Sequence, residues 1–155
     1  MEATGVWRGG FESHLEDGRG HGITIDLPTD EGGSNLGTSA LELAVESLAG
    51  CITTLFAMIA HKRNLTFDRL AVSLTADRPE GAPTIRRVHG TLEVSTREPR
   101  ESVDTVLRLA LKTCPVGVLF ERAHVPVHVR LVLRTPSTPG PDGLPYEVPE
   151  PEWKP

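Results

Sequence analysis

The chain has 155 residues, 38% of them hydrophobic, and a net charge of −5 from 16 basic and 21 acidic side chains, which suits one domain with at most an appended tail. The mixed, slightly acidic charge argues against a nucleic-acid surface, because phosphate contacts need a basic face. Two cysteines are too few for a secreted disulfide framework. The opening MEATGVWRGG lacks the basic-then-apolar order of a signal peptide. No run of about 18 uninterrupted apolar residues is present, so no membrane-spanning helix is expected. The expectation is a cytoplasmic protein whose thiols stay reduced unless chemistry employs them.

The first segment reads as a β-hairpin. VWRGGFESHL and HGITIDLP flank LEDGRG, with Asp17-Gly18 as a tight-turn dipeptide. Residues 29–39, TDEGGSNLGTS, have the composition of a flexible loop. A long helix is expected over about 40–61. Ser39 is its N-cap, and Glu42 three positions on completes a capping box. Leu41, Ala44, Val45, Leu48, Ile52, Leu55, Phe56 and Ile59 recur at helical spacing. The opposite face carries Ala49, Gly50, Thr53, Thr54 and Ala57, small and uncharged, so the helix should be buried all round. In a chain this short, a second subunit could supply half of that cover.

A second hairpin follows, DRLAVSLTADR and TIRRVHGTLEVST around PEGAP. Residues 97–113 read as an amphipathic helix with Val103, Val106, Leu107, Ala110 and Leu111 inward. A shorter helix is expected from Pro115 to about Ala123, and PVHVRLVLR closes the domain. The order gives an α+β fold with antiparallel pairs around a long buried central helix. The domain should span 1–134. From 135 onward, TPSTPGPDGLPYEVPEPEWKP holds seven of the thirteen prolines, the composition of an extended or disordered tail.

The two cysteines carry what chemistry the sequence offers. Cys114 precedes a proline, which favours the first helical position, so its thiol should sit at a helix N-cap. The partial positive charge there favours thiolate, making Cys114 the better nucleophile by position. Cys51 lies mid-helix in small apolar company, where desolvation disfavours the charged form. Glu42 and Glu46 fall on its side of the helix, Glu42 more than two turns away. His124 and His128 are four apart on an expected strand edge, with no third ligand at metal spacing, so no metal site is expected.

The two thiol segments together resemble the OsmC/Ohr family of osmotically inducible and organic hydroperoxide resistance proteins. SALELAVESLAGC is similar to the family's cysteine-bearing helix, KTCPV to its second cysteine motif, and GHGITIDLP to the strand before the loop. Within the family the chain looks closest to the branch often called YhfA-like. The resemblance implies an intertwined homodimer with two interfacial sites and a thiol peroxidase acting on organic or lipid hydroperoxides. It implies no bound cofactor and a lipoyl or thioredoxin-like dithiol as reductant. It assigns first attack to Cys51, resolution to Cys114, and a catalytic glutamate to Glu42. The family's activating arginine has no direct match. The turn here reads HLEDGRG, where Glu16 takes the matching place and Arg19 is the candidate substitute, ahead of Arg8. Two other functions suit the same scaffold: a non-enzymatic small-molecule-binding dimer, and a thiol redox sensor.

Overall fold

The structure, a computed structural model, describes residues 1–136. The proline-rich segment expected from 135 onward therefore lies almost wholly outside the described residues. Ten elements follow one another, nine of them regular strands and helices: β1 (Thr4–Gly9), β2 (Glu12–Glu16), β3 (Gly22–Ile25), α1 (Ala40–Lys62), β4 (Arg69–Asp77), β5 (Arg87–Ser95), α2 (Arg100–Thr113), α3 (Pro115–Arg122) and β6 (Val127–Arg134), with one short 3-10 turn, Thr29–Glu31, before α1. They make two three-stranded sheets, β1-β2-β3 and β4-β5-β6. The mixed α+β class is as the sequence predicts.

The N-terminal segment has three strands where two were expected. Gly9 and Gly10 both take positive φ, 132° and 49°, and fold VWRGGFESHL back on itself. The ladder shifts register between Trp7 and Gly9, a bulge at Arg8. The β2–β3 connection is also longer than a two-residue turn. Asp17 N–H donates to the His21 carbonyl, and the Asp17 carboxylate accepts from the Arg19 and His21 backbone N–H groups.

Residues 27–36 are more tightly held than their composition predicts. Asp26 is only 2% exposed, and its carboxylate accepts N–H bonds from Leu27 at 2.8 Å, Ser34 at 2.9 Å and Leu36 at 3.2 Å. Burial pushes its carboxyl up, but the three N–H donors outweigh that and leave it below the ordinary aspartate value.

α1 starts as the sequence predicts. The Ser39 backbone N–H donates to Glu42 Oε2 at 2.7 Å and the Glu42 N–H donates to Ser39 Oγ at 3.3 Å, a complete capping box. The buried stripe is Leu48, Ile52, Phe56 and Ala60, one residue every four positions. It packs with Val103, Val106, Leu107 and Ala110 of α2 and Val88, Leu92, Val94 and Leu131 of the second sheet. Phe56 and Phe67 meet edge to face, with centroids 5.9 Å apart. The all-round burial expected of α1 is not found within one chain: Gly50, Thr54, Met58 and His61 are exposed on its far side. Among the described residues nothing covers them. By length and composition α1 is long and apolar enough to cross a membrane, although Glu42 and Glu46 interrupt its apolar run. Its buried stripe instead serves this fold as the core helix.

The second sheet departs from an all-antiparallel arrangement. β4 and β5 form the expected hairpin, but β6 lies parallel to β5, with Val88 opposite Val127 and Leu92 opposite Leu131. A parallel neighbour requires a long crossover, and α2 with α3 provides it. α2 begins at Arg100 and not at 97, because Thr96 is tied to the Thr66 carbonyl and Pro99 occupies the N-cap.

Candidate functional site

Pro115 builds the site. A residue before proline is driven out of the helical region, and Cys114 accordingly takes φ −66°, ψ 109°, ending α2 and capping α3. That bend turns the Cys114 side chain into the core, where the residue is 1% exposed. Its Sγ accepts the Gly117 N–H at 3.2 Å, the bond an N-cap side chain makes to the third helical residue. Cys51 lies beside Ile52 on the flank of the buried stripe of α1, half-buried. The two sulfurs are 3.1 Å apart, with Cys114 donating to Cys51. Both are free thiols. Residues 63 positions apart in sequence thus meet across the α1–α3 packing.

The expectation that Cys114 is the better thiolate is corrected. Its thiol is pushed up to about 11, by burial first and by the hydrogen bond with Cys51 second, and the Gly117 N–H only partly offsets this. Desolvation outweighs the helix N-terminus here. Cys51 is the more exposed of the two residues.

Glu42 and Arg19 are not brought to the thiols within the chain. Glu42 is occupied at the helix N-cap, and the Ser39 N–H, ahead of the Ser39 hydroxyl, holds its carboxyl below the ordinary glutamate value. Nine residues of helix, roughly 13 Å of rise, separate it from Cys51. Glu46 accepts the Thr38 hydroxyl at 2.7 Å. The Arg19 guanidinium is bound to Asp17, with Nη2 2.7 Å from Oδ2. The His21 side chain and then the Arg19 N–H lower the Asp17 carboxyl to about 2. His124 and His128 do not share a strand edge: His124 takes φ 58° in the turn after α3, and only His128 belongs to β6. Among the described residues no three His, Cys, Asp or Glu side chains gather at metal-binding distance.

Two features escaped the sequence. One is the Gly117 N–H on the Cys114 sulfur, legible in principle from its place three residues after a cap. The other is a largely apolar cavity of about 580 Å³ with Cys114 in its wall, lined by Leu48, Ile52, Leu111 and Val118 and bordered by Lys112 and His124. It is formed by three helices and the turn into β6, and no local pattern announces it.

A family model described as OsmC-like protein matches residues 32–130, well over half of the chain. No curated protein matches the sequence. Solved structures share the fold. An OsmC-like protein from Mycoplasma pneumoniae superposes with a TM-score of 0.75 at 17% identity, over 85% of this chain and 95% of that one. An organic hydroperoxide resistance protein from Elizabethkingia anophelis gives 0.68 at 15% identity, over 85% and 94%. An organic hydroperoxide resistance protein OsmC from Legionella pneumophila gives 0.62 at 18% identity, over 84% and 94%.

Proposed function

The chain belongs to the OsmC-like protein family, and from that premise we propose that it is a thiol peroxidase reducing organic hydroperoxides. The observation that carries the proposal is the 3.1 Å contact between the Cys51 and Cys114 sulfurs. A disulfide needs about 2.0 Å between sulfurs, so closure asks for roughly 1 Å of movement and no refolding.

The steps follow from access and protonation. The Cys51 thiolate attacks the outer oxygen of ROOH. The O–O bond breaks, the alkoxide takes a proton and leaves as ROH, and Cys51 becomes a sulfenic acid. The Cys114 sulfur then attacks the Cys51 sulfur. The S–S bond forms, and hydroxide leaves as water with the Cys114 proton. An external dithiol of lipoyl or thioredoxin type reduces the pair by two exchanges and is itself oxidised to a disulfide. No bound cofactor enters. Glu42 and Arg19, the other residues proposed for the site, reach the thiols only if a second copy of the chain presents them. The functional unit in this reading is a cytoplasmic homodimer.

Turnover tests the proposal. Reduced protein with a dithiol should consume cumene hydroperoxide faster than hydrogen peroxide, and Cys51→Ser should abolish consumption. Consumption undiminished in Cys51→Ser would overturn it. The apolar cavity beside Cys114 favours a second reading, a small-molecule-binding dimer with spectator thiols. Unreactive thiols together with saturable binding of an apolar probe would bring that reading forward.

A further inference from the structure

A thiol acting on peroxide must ionise, and the described chain offers Cys51 no cation. Arg19 is held by Asp17. On α1, Glu46 is engaged by Thr38. Lys112, Glu121 and His124 border the cavity behind Cys114, and none of them makes a hydrogen bond or ion pair with Cys51. Among the described residues, the one hydrogen-bond partner of the Cys51 side chain is Cys114.

The geometry around Cys114 makes it a donor. Its sulfur accepts the Gly117 N–H at 3.2 Å, and the Cys51 sulfur, 3.1 Å away, is the acceptor within reach of its own S–H. The bend before Pro115 sets the Cys114 backbone in the extended conformation from which its sulfur meets both partners. We infer that the Cys114 thiol, before it serves as the second nucleophile, acts as the hydrogen-bond donor that holds Cys51 in its thiolate form. This rests on the reading of Cys51 as the reacting sulfur. It gives Cys114 two successive roles: donor while Cys51 waits for peroxide, nucleophile once Cys51 carries oxygen. Burial supports the first role, because a thiol pushed up to about 11 keeps its proton at neutral pH. A donor that keeps its proton stabilises the neighbouring anion, whereas a second thiolate would repel it. A hydrogen bond to an ionised group is among the stronger ones, and a low-dielectric site strengthens it further.

The test is the pH profile of Cys51 alkylation, which needs no peroxide. Reduced protein is treated with iodoacetamide across pH, and the Cys51 peptide is quantified by mass. Cys114→Ala removes the donor, and Cys114→Ser keeps an O–H in its place. The Cys114→Ala midpoint should lie about one pH unit above that of the unaltered protein, which makes alkylation near neutral pH roughly tenfold slower. The Cys114→Ser midpoint should stay near the unaltered value. An unchanged midpoint in Cys114→Ala would overturn the inference and point to a cation from elsewhere. An equal rise in both variants would also overturn it, since packing alone would then explain the effect. A shifted midpoint in a protein that does not turn over hydroperoxide would keep this inference and sink the peroxidase reading; the reverse pattern would do the opposite.

Discussion

At the scale of single residues, the environment of a side chain decides its chemistry more than its sequence neighbours do. Cys114 sits at a helix N-cap, as Pro115 predicts, yet its thiol is raised, because the cap is inside the core. Sequence supplies the cap and cannot supply its burial. Glu42 shows the converse. The capping box is local, spans four residues, and is fully legible. Its carboxyl lies below the ordinary value of 4.5 in the folded chain. A lowered folded value means that the associated stability is present above the unfolded value and is lost as pH falls through the folded one. Urea midpoints of the unaltered protein should therefore fall between neutral pH and pH values below about 4. Glu42→Gln should flatten that part of the acid loss. Ser39→Ala should cost about 1 kcal/mol at neutral pH. An identical acid profile for Glu42→Gln would show that the cap carries no charge-dependent stability.

At the scale of elements, what was legible is what is periodic. The apolar spacing of α1, the inward face of α2 and the β4–β5 alternation all reappear in the structure. What was missed depends on backbone conformation or on partners distant in sequence. The Gly9-Gly10 reversal reads as strand interior until the positive φ values are seen. The parallel seating of β6 depends on where the α2–α3 crossover returns the chain. The loop before α1 shows the same limit: its glycines suggest freedom, but two of them are fixed by crowding. A Cβ on Gly37 would lie 2.2 Å from the Thr24 carbonyl oxygen, and one on Gly33 would lie 1.9 Å from that of Leu27. Backbone cannot yield as a side-chain tip can. Gly37→Ala should lower stability by more than about 2 kcal/mol, measured by denaturant titration. A change within about 0.5 kcal/mol would mean that the segment is free to move aside.

At the scale of the whole molecule, the described chain leaves an apolar sheet face and one uncharged side of α1 open. One face of β1–β3 shows Trp7, Leu15, Ile23 and Ile25, with Trp7 72% exposed, and the far side of α1 shows Gly50, Thr54 and Met58. The first sheet has no extensive packing against the helices or the second sheet. A second copy of the chain is the proposed cover for both, consistent with the apolar character that made α1 read as buried all round. Light scattering should give twice the chain mass for the unaltered protein and the chain mass for Trp7→Glu with Ile23→Glu. A monomeric unaltered protein would remove this cover and, with it, the route by which Glu42 or Arg19 could reach the thiols. The central claim is that the two thiols form one redox site in which Cys51 acts first. Its most direct test is one equivalent of cumene hydroperoxide added to reduced protein, followed by intact mass over seconds, beside Cys51→Ser and Cys114→Ser. The account predicts loss of both thiols with a mass lower by about two daltons, no reaction in Cys51→Ser, and a Cys51 sulfenic acid in Cys114→Ser. Both thiols intact after minutes, or oxidation that proceeds unchanged without Cys51, would contradict it.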